Sequence, residues 1–356
     1  MKLRPSLCWL TSSKPTACFL SSTPCRLNRS RVPLDIPPPF PVTKTCPEPS
    51  CSCPPTPPMP EGLPIDYEQP LNGTMAAYAQ QIVICTGQRD WTSRIEDDGQ
   101  HHTWGQLVRG LKQLLGRGGR FADPFNNVLI SNSSFVPSSI STKGLSNASA
   151  FLFPSFKFFP SVPVQPRESA VAETDLSTFA QAFLLPNTLN PMTGSLPEAK
   201  KAELVRKPEL ASKFPDAVDL YCSPVILICG HGGRDKRCGV MAPILEDEFQ
   251  RCLRAEGFSL GECNSGTIDS PGHAHIGLIS HIGGHKYAGN IIVYVPPGMT
   301  IKDSSTVHPL AGKGIWYGRI EPKHVQGIVE ETILGGKVLA DHFRGGIDRN
   351  GNILRL

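Results

Sequence analysis

The chain has 356 residues, room for two domains, and its 35 Lys and Arg against 31 Asp and Glu leave a net charge of +4. So even a balance gives no case for nucleic acid or a membrane surface as partner, and no apolar run approaches the roughly 18–20 residues of a membrane span. Twelve cysteines, six of them before residue 54, are spread too unevenly for the disulfide framework of a small secreted domain.

Residues 1–34 carry Lys2, Arg4, Lys14, Arg26, Arg29 and Arg31 with no acidic residue before Asp35. Frequent Ser and Thr between short apolar patches complete the composition of a mitochondrial transit peptide, directing the protein to the matrix ahead of the intermembrane space. Residues 35–63 are dominated by proline and hold Cys46, Cys51 and Cys53; such a stretch buries too little apolar surface to fold alone and reads as an extended linker.

Residues 64–196 read as a first α/β domain. Gln81–Cys85 is a strand, and Trp104, Leu107, Val108, Leu111 and Leu115 recur at helical spacing behind Thr103 as N-cap. Asn127–Ser131 and Ala150–Phe159 read as further strands, and Thr174–Leu185 as a helix. Gly116–Gly119 follows a helix, the wrong context for a dinucleotide loop. A charged segment, 197–215, links this domain to the next.

The second domain, 216–350, opens with Val225-Ile-Leu-Ile-Cys229, a buried strand, and Gly230, Gly232 and Gly233 turn the chain after it. Cys238 then stands just ahead of a helix marked by Met241, Leu245, Phe249 and Cys252, where the helix dipole favours a thiolate. His281 and His285 bracket Gly283-Gly284 on a tight loop, Ile291–Val295 and Gly314–Arg319 are strands, and Pro322 opens a last helix. Two thiolates and two imidazoles are enough to close a metal site. The C-x8-C gap is wider than the thiolate spacing of finger-type zinc sites, yet zinc and a mixed-ligand iron–sulfur cluster both fit the donor set. The first domain echoes the second, Ile84-Cys85-Thr86-Gly87 standing like Ile228-Cys229-Gly230-His231, but it lacks both the second cysteine and the histidine pair.

The C-x8-C loop, the H-x3-H loop with Ala288-Gly289-Asn290 behind it, and Gly314-Ile-Trp-Tyr-Gly-Arg319 resemble the sucrase/ferredoxin-like family, and within it a fungal mitochondrial branch, over roughly residues 63–350. The resemblance implies an α/β fold: a C-terminal thioredoxin-like ferredoxin domain preceded by a related, degenerate domain. It implies a [2Fe-2S] cluster held by Cys229, Cys238, His281 and His285, the histidines standing where thioredoxin-like ferredoxins carry a second cysteine pair. Electron transfer or redox sensing follows, with a redox donor, an acceptor and the iron–sulfur assembly machinery as partners. Two rivals remain at this point. A thioredoxin-like thiol–disulfide oxidoreductase lacks a C-x-x-C motif to support it, and a structural zinc protein shares the donor set.

Overall fold

The apolar runs of the sequence become the central strands of one mixed sheet in a computed structural model that describes residues 37–50, 52–138, 147–164, 176–261 and 268–356. The stretch read as a transit peptide, Cys51 and Cys263 lie outside the described residues. The first half contributes β1 (Gln80–Cys85), α1 (Thr103–Leu115), β2 (Val128–Ser133), β3 (Asn147–Phe153) and β4 (Lys157–Pro163). The second contributes β5 (Val225–Cys229), α2 (Lys236–Ala255), β6 (His273–Ile279), β7 (Ile291–Val295), β8 (Lys313–Tyr317), α3 (Pro322–Gly327) and β9 (Phe343–Ile347).

The halves repeat one topology. In each, the first strand lies between a parallel partner reached through the helix and an antiparallel partner that comes later in the chain. This gives the order β2-β1-β3-β4 in the first half and β6-β5-β7-β8 in the second. β2 and β6 meet antiparallel with Ser133 opposite Ile279, so both sets belong to a single 12-stranded sheet. The fold is α/β, as the sequence implied.

Burial on both faces explains why β5 reads as an unbroken apolar run rather than an alternating one. Ile226 and Ile228 belong to the core shared with α2, which buries Met241, Leu245, Phe249 and Leu253; Ile82 and Ile84 do the same with Leu107 and Leu111 of α1. Leu227, Cys229, Val83 and Cys85 face the other way, into a second core. The sheet curls around that second core until distant strands touch. Phe153 of β3 stacks on Tyr294 of β7 with centroids 3.8 Å apart, and the Tyr294 hydroxyl donates to Gln81 Oε1 at 2.7 Å.

Local boundaries differ from the sequence reading in places. His102 occupies the N-cap of α1, and Thr103, expected there, is already helical. The helix expected at Thr174–Leu185 is a single α-turn, Leu176–Phe179, running into a π-turn at Ala180–Leu184. The proline-rich stretch, expected as an extended linker, is laid against the second half. Val42–Thr43 pairs in parallel with Val338–Leu339, and Phe40 packs edge-on to Phe343 at 5.7 Å. No helix among the described residues is long and apolar enough to cross a membrane.

Candidate metal centre

Cys229 is the last residue of β5, and Cys238, expected just ahead of the helix, is the third residue of α2. Asp235 caps that helix, its Oδ1 accepting from the Arg237 N–H at 3.0 Å, and the Cys238 N–H donates to the Asp235 carbonyl at 3.1 Å. Both thiols are buried, and they titrate as a pair. The Cys238 thiol donates to Cys229 and, with His281, holds the Cys229 thiol well below its ordinary value against the pull of burial. Cys238 is pushed far up in turn, first by that hydrogen bond, then by burial and by the neighbouring thiolate. One proton of the pair therefore leaves far more easily than the other, as in any hydrogen-bonded thiol pair, whether it holds a metal or exchanges disulfides.

The histidine loop is shaped by Gly283 and Gly284, at φ +88° and +75°, a left-handed conformation in which other residues are strained. It delivers the rings of His281 and His285 with centroids 5.2 Å apart. Both Nδ1 atoms are buried and have no hydrogen-bond partner, a costly state for an imidazole nitrogen unless something occupies it. His285 Nε2 points toward Asp235 Oδ2 at 4.0 Å. A carboxylate behind the outer nitrogen is the usual way a ligating imidazole is oriented. Burial lowers the His285 pKa, with Asp235 opposing, so the ring is neutral and can offer a lone pair. Among the described residues no three His, Cys, Asp or Glu side chains close around one point as a single ion requires. A two-iron cluster instead takes its protein ligands in pairs, two to each iron.

Beside the thiols lies Arg344, a guanidinium 1% exposed with no carboxylate at ion-pair distance among the described residues. It donates to Asn290 Oδ1 at 2.7 Å, to the carbonyls of Gly283 at 3.1 Å and Thr74 at 2.8 Å, and to Thr74 Oγ1 at 3.0 Å. Burial lowers its pKa to about 10, against the attraction of Cys229 and Cys238, so it stays charged at neutral pH. The ionisable groups acting on it are Cys229, then Tyr287 and Cys238. Asn290 ties the parts together: its carbonyl accepts from the Cys229 N–H at 2.9 Å and its Nδ2 donates to the Gly284 carbonyl at 2.9 Å.

Residues 71–345, which include all of these side chains, match the sucrase/ferredoxin-like family. The chain belongs to that family. Altered inheritance of mitochondria protein 32 of Meyerozyma guilliermondii is 29% identical over 314 residues, covering 85% of this chain and 94% of that protein. The protein of the same name from Debaryomyces hansenii is 30% identical over 315 residues, 84% of this chain and 94% of its own. Actin patches distal protein 1 of Saccharomyces cerevisiae is 32% identical over 132 residues, 37% of this chain and 36% of its own. No solved structure matches the chain.

Cys222 and Cys252 are the other second-half cysteines among the described residues. Cys252 belongs to the helix-side core, on the opposite face of the sheet from Cys229, and Cys222 gives its N–H to Asp269 at 2.7 Å. Arg319, which closes the Gly314-Ile-Trp-Tyr-Gly-Arg319 motif, holds the backbone carbonyls of Asp66 and of Gln69, the latter at 2.7 Å. Trp316 is fully buried and donates from Nε1 to the Tyr78 hydroxyl at 3.0 Å. His324 and His342 face each other with ring centroids 4.2 Å apart. The sequence reading missed Arg344, Asn290, Asp235 and His231. Asn290 carried the one available signal, since it closes the A-G-N that follows the histidine loop.

Proposed function

We propose that Cys229, Cys238, His281 and His285 hold a [2Fe-2S] cluster and that the protein serves electron transfer or redox sensing in mitochondria. What carries the reading is the pair of buried, unpartnered imidazole Nδ1 atoms beside a coupled thiol pair, facing a buried cation that lacks a carboxylate. Bound there, such a cluster supplies one-electron chemistry. Two ferric ions, two sulfides and two thiolates sum to zero, against −2 with four thiolates, so an added electron meets less repulsion than in a plant-type ferredoxin. Arg344 lowers that repulsion further, and Asn290 holds the cysteine strand and the histidine loop at a fixed separation. Asp235, 4.0 Å from His285 Nε2, acts on that ring through its charge. A redox donor and acceptor and the iron–sulfur assembly machinery are the implied partners.

The lowered Cys229 thiol also suits a thiol–disulfide oxidoreductase, but its 2% exposure, with Cys238 at 0%, leaves a disulfide substrate no approach. Protein purified without oxygen should be red-brown, with iron and acid-labile sulfide in equal amounts. A colourless protein with one zinc per chain would sink the assignment. The mitochondrial part rests on residues 1–34 and on the names of the relatives. That segment fused to a fluorescent reporter should carry it into mitochondria, and a diffuse cytosolic signal would contradict this.

A further inference from the structure

The loop after β1 is the topological counterpart of the loop after β5, yet no second cysteine follows it in the first half and its two histidines, His101 and His102, are adjacent rather than four apart. It is folded onto the counterpart instead. The Asp90 carboxylate accepts from the Gly233 N–H, both oxygens at 3.1 Å, and Arg234 Nη1 donates to Ser93 Oγ at 3.2 Å. The approach is close enough to require glycine: a Cβ at Gly233 would stand 2.1 Å from the Trp91 carbonyl oxygen, and one at Gly232 would stand 2.9 Å from Asp90 Oδ2. In the middle of this contact is His231, 1% exposed, with the Trp91 ring edge-on at 5.9 Å.

Both ring nitrogens of His231 are engaged, and their partners lie on different halves of the molecule. Nδ1 accepts from the backbone N–H of His281 at 3.0 Å, which requires the proton to sit on Nε2. Nε2 then donates to the carbonyls of Thr92 at 2.8 Å and Trp91 at 3.1 Å. The ring is a strut from the first half's loop to the backbone of a candidate iron ligand. Any buried histidine must satisfy both nitrogens; what distinguishes His231 is that its two sets of partners belong to different halves.

We infer that His231 is a positioning residue. Clamped by the Asp90–Ser93 loop of the cluster-free half, it fixes the backbone of His281 so that the His281 imidazole meets the site beside Cys229. The first half thereby has a role: its vestigial loop braces the loops that carry the ligands. This inference rests on the ligand assignment proposed above, and its test is chosen so that the two can fail separately.

Two variants split the strut. His231→Leu removes both ends, whereas His231→Asn keeps an acceptor near the Nδ1 position for the His281 N–H. In the metal-free full chain, hydrogen exchange at the His281 amide should speed up roughly 10-fold in His231→Leu, the loss of about one buried hydrogen bond, and return toward wild type in His231→Asn. In the iron-loaded, dithionite-reduced protein labelled with ¹⁵N-histidine, His231→Leu should change one of two nitrogen couplings and His231→Asn should restore it. Should His231→Leu fail to fold, Asp90→Ala, altered in the other half, is expected to speed exchange at Gly233 and His281 together. Unchanged exchange at His281 in a folded His231→Leu or Asp90→Ala, or unchanged couplings in a folded His231→Leu, would overturn the clamp. If no preparation of the wild type holds iron, the cluster reading falls and the exchange data alone decide the clamp.

Discussion

Cys85 and Cys229 end equivalent strands in the two halves, face the same core and are both buried, yet their thiols are driven in opposite directions. Burial pushes Cys85 up to about 12, with Ser149 and Ser133 giving only partial relief. Cys229 is held well below its ordinary value by a second thiol and an imidazole. Strand position alone therefore does not set the chemistry of a thiol. The chemistry comes from what the following loops deliver: a second thiol on a capped helix, two imidazoles on a glycine loop and a guanidinium from β9 in one half, two serine hydroxyls in the other. The first half has kept the frame and turned its loop into a support.

The comparison breaks if Cys85 and Cys229 behave alike under mutation. Cys229→Ser and Cys238→Ser should each cut iron content about 10-fold or more, because removing one thiolate leaves an open position and an unpaired partner. Cys85→Ser should keep wild-type iron and change stability by about 1 kcal/mol, since both serines can bond the new hydroxyl. Iron per chain measured for the three variants decides this. If Cys229→Ser retains wild-type iron, the ligands must be sought among the spare cysteines.

Arg344 marks the next difference, for among the described residues burial, Ser149 and Ser133 are what act on Cys85. Arg344→Leu would leave Asn290 Oδ1 and the Gly283 and Thr74 carbonyls without their donor. The metal-free protein should lose about 2–4 kcal/mol in urea unfolding, and any bound cluster should become harder to reduce. A variant as stable as wild type with an unchanged potential would remove Arg344 from the account.

The halves should also part company in acid. Burial, the leading cause in each case, depresses His275, His308 and His324 to about 4, and all three lie in the second half. Each is neutral when folded and takes up a proton when unfolded below about 6.5, so stability present above pH 6.5 is lost as the pH falls toward 4. Hydrogen exchange at pH 5 against pH 7 should therefore show protection falling first in the second half. Uniform loss across both halves would contradict that. The smallest effect belongs to Cys252→Ser, on the far face of the sheet, expected to cost about 1 kcal/mol with iron unchanged.

Much of the frame was legible because burial writes itself into the sequence. The run Val225–Cys229 is apolar throughout since both its faces are covered, and the i, i+3, i+4 spacing in α1 and α2 follows the buried side. Cys229, Cys238, His281 and His285 were visible because soft donors in two glycine-flanked pairs are rare by chance. Other features left no local trace. Arg344 sits in Phe343-Arg-Gly-Gly, where nothing distinguishes a buried cation from a surface one. His231 looked like part of a glycine turn, because its partners at Trp91 and Thr92 are about 140 positions away. The strand-to-strand joint between the halves is short, Ser133 opposite Ile279 with Ser134 bonded to Leu278 and Ser280 to Asn132, too small to mark either strand. Thr103 is a good capping residue that lost its place to His102 by one position, which the apolar spacing could not fix.

The most direct test of mixed cysteine and histidine ligation is pulsed electron paramagnetic resonance on anaerobically purified, dithionite-reduced protein labelled with ¹⁵N-histidine. Two nitrogens should couple to the reduced cluster in the wild type. One should disappear in His281→Cys and the other in His285→Cys, with iron retained in both because the number of ligands is unchanged. A reduced cluster without histidine coupling, or couplings that survive both substitutions, would contradict the account.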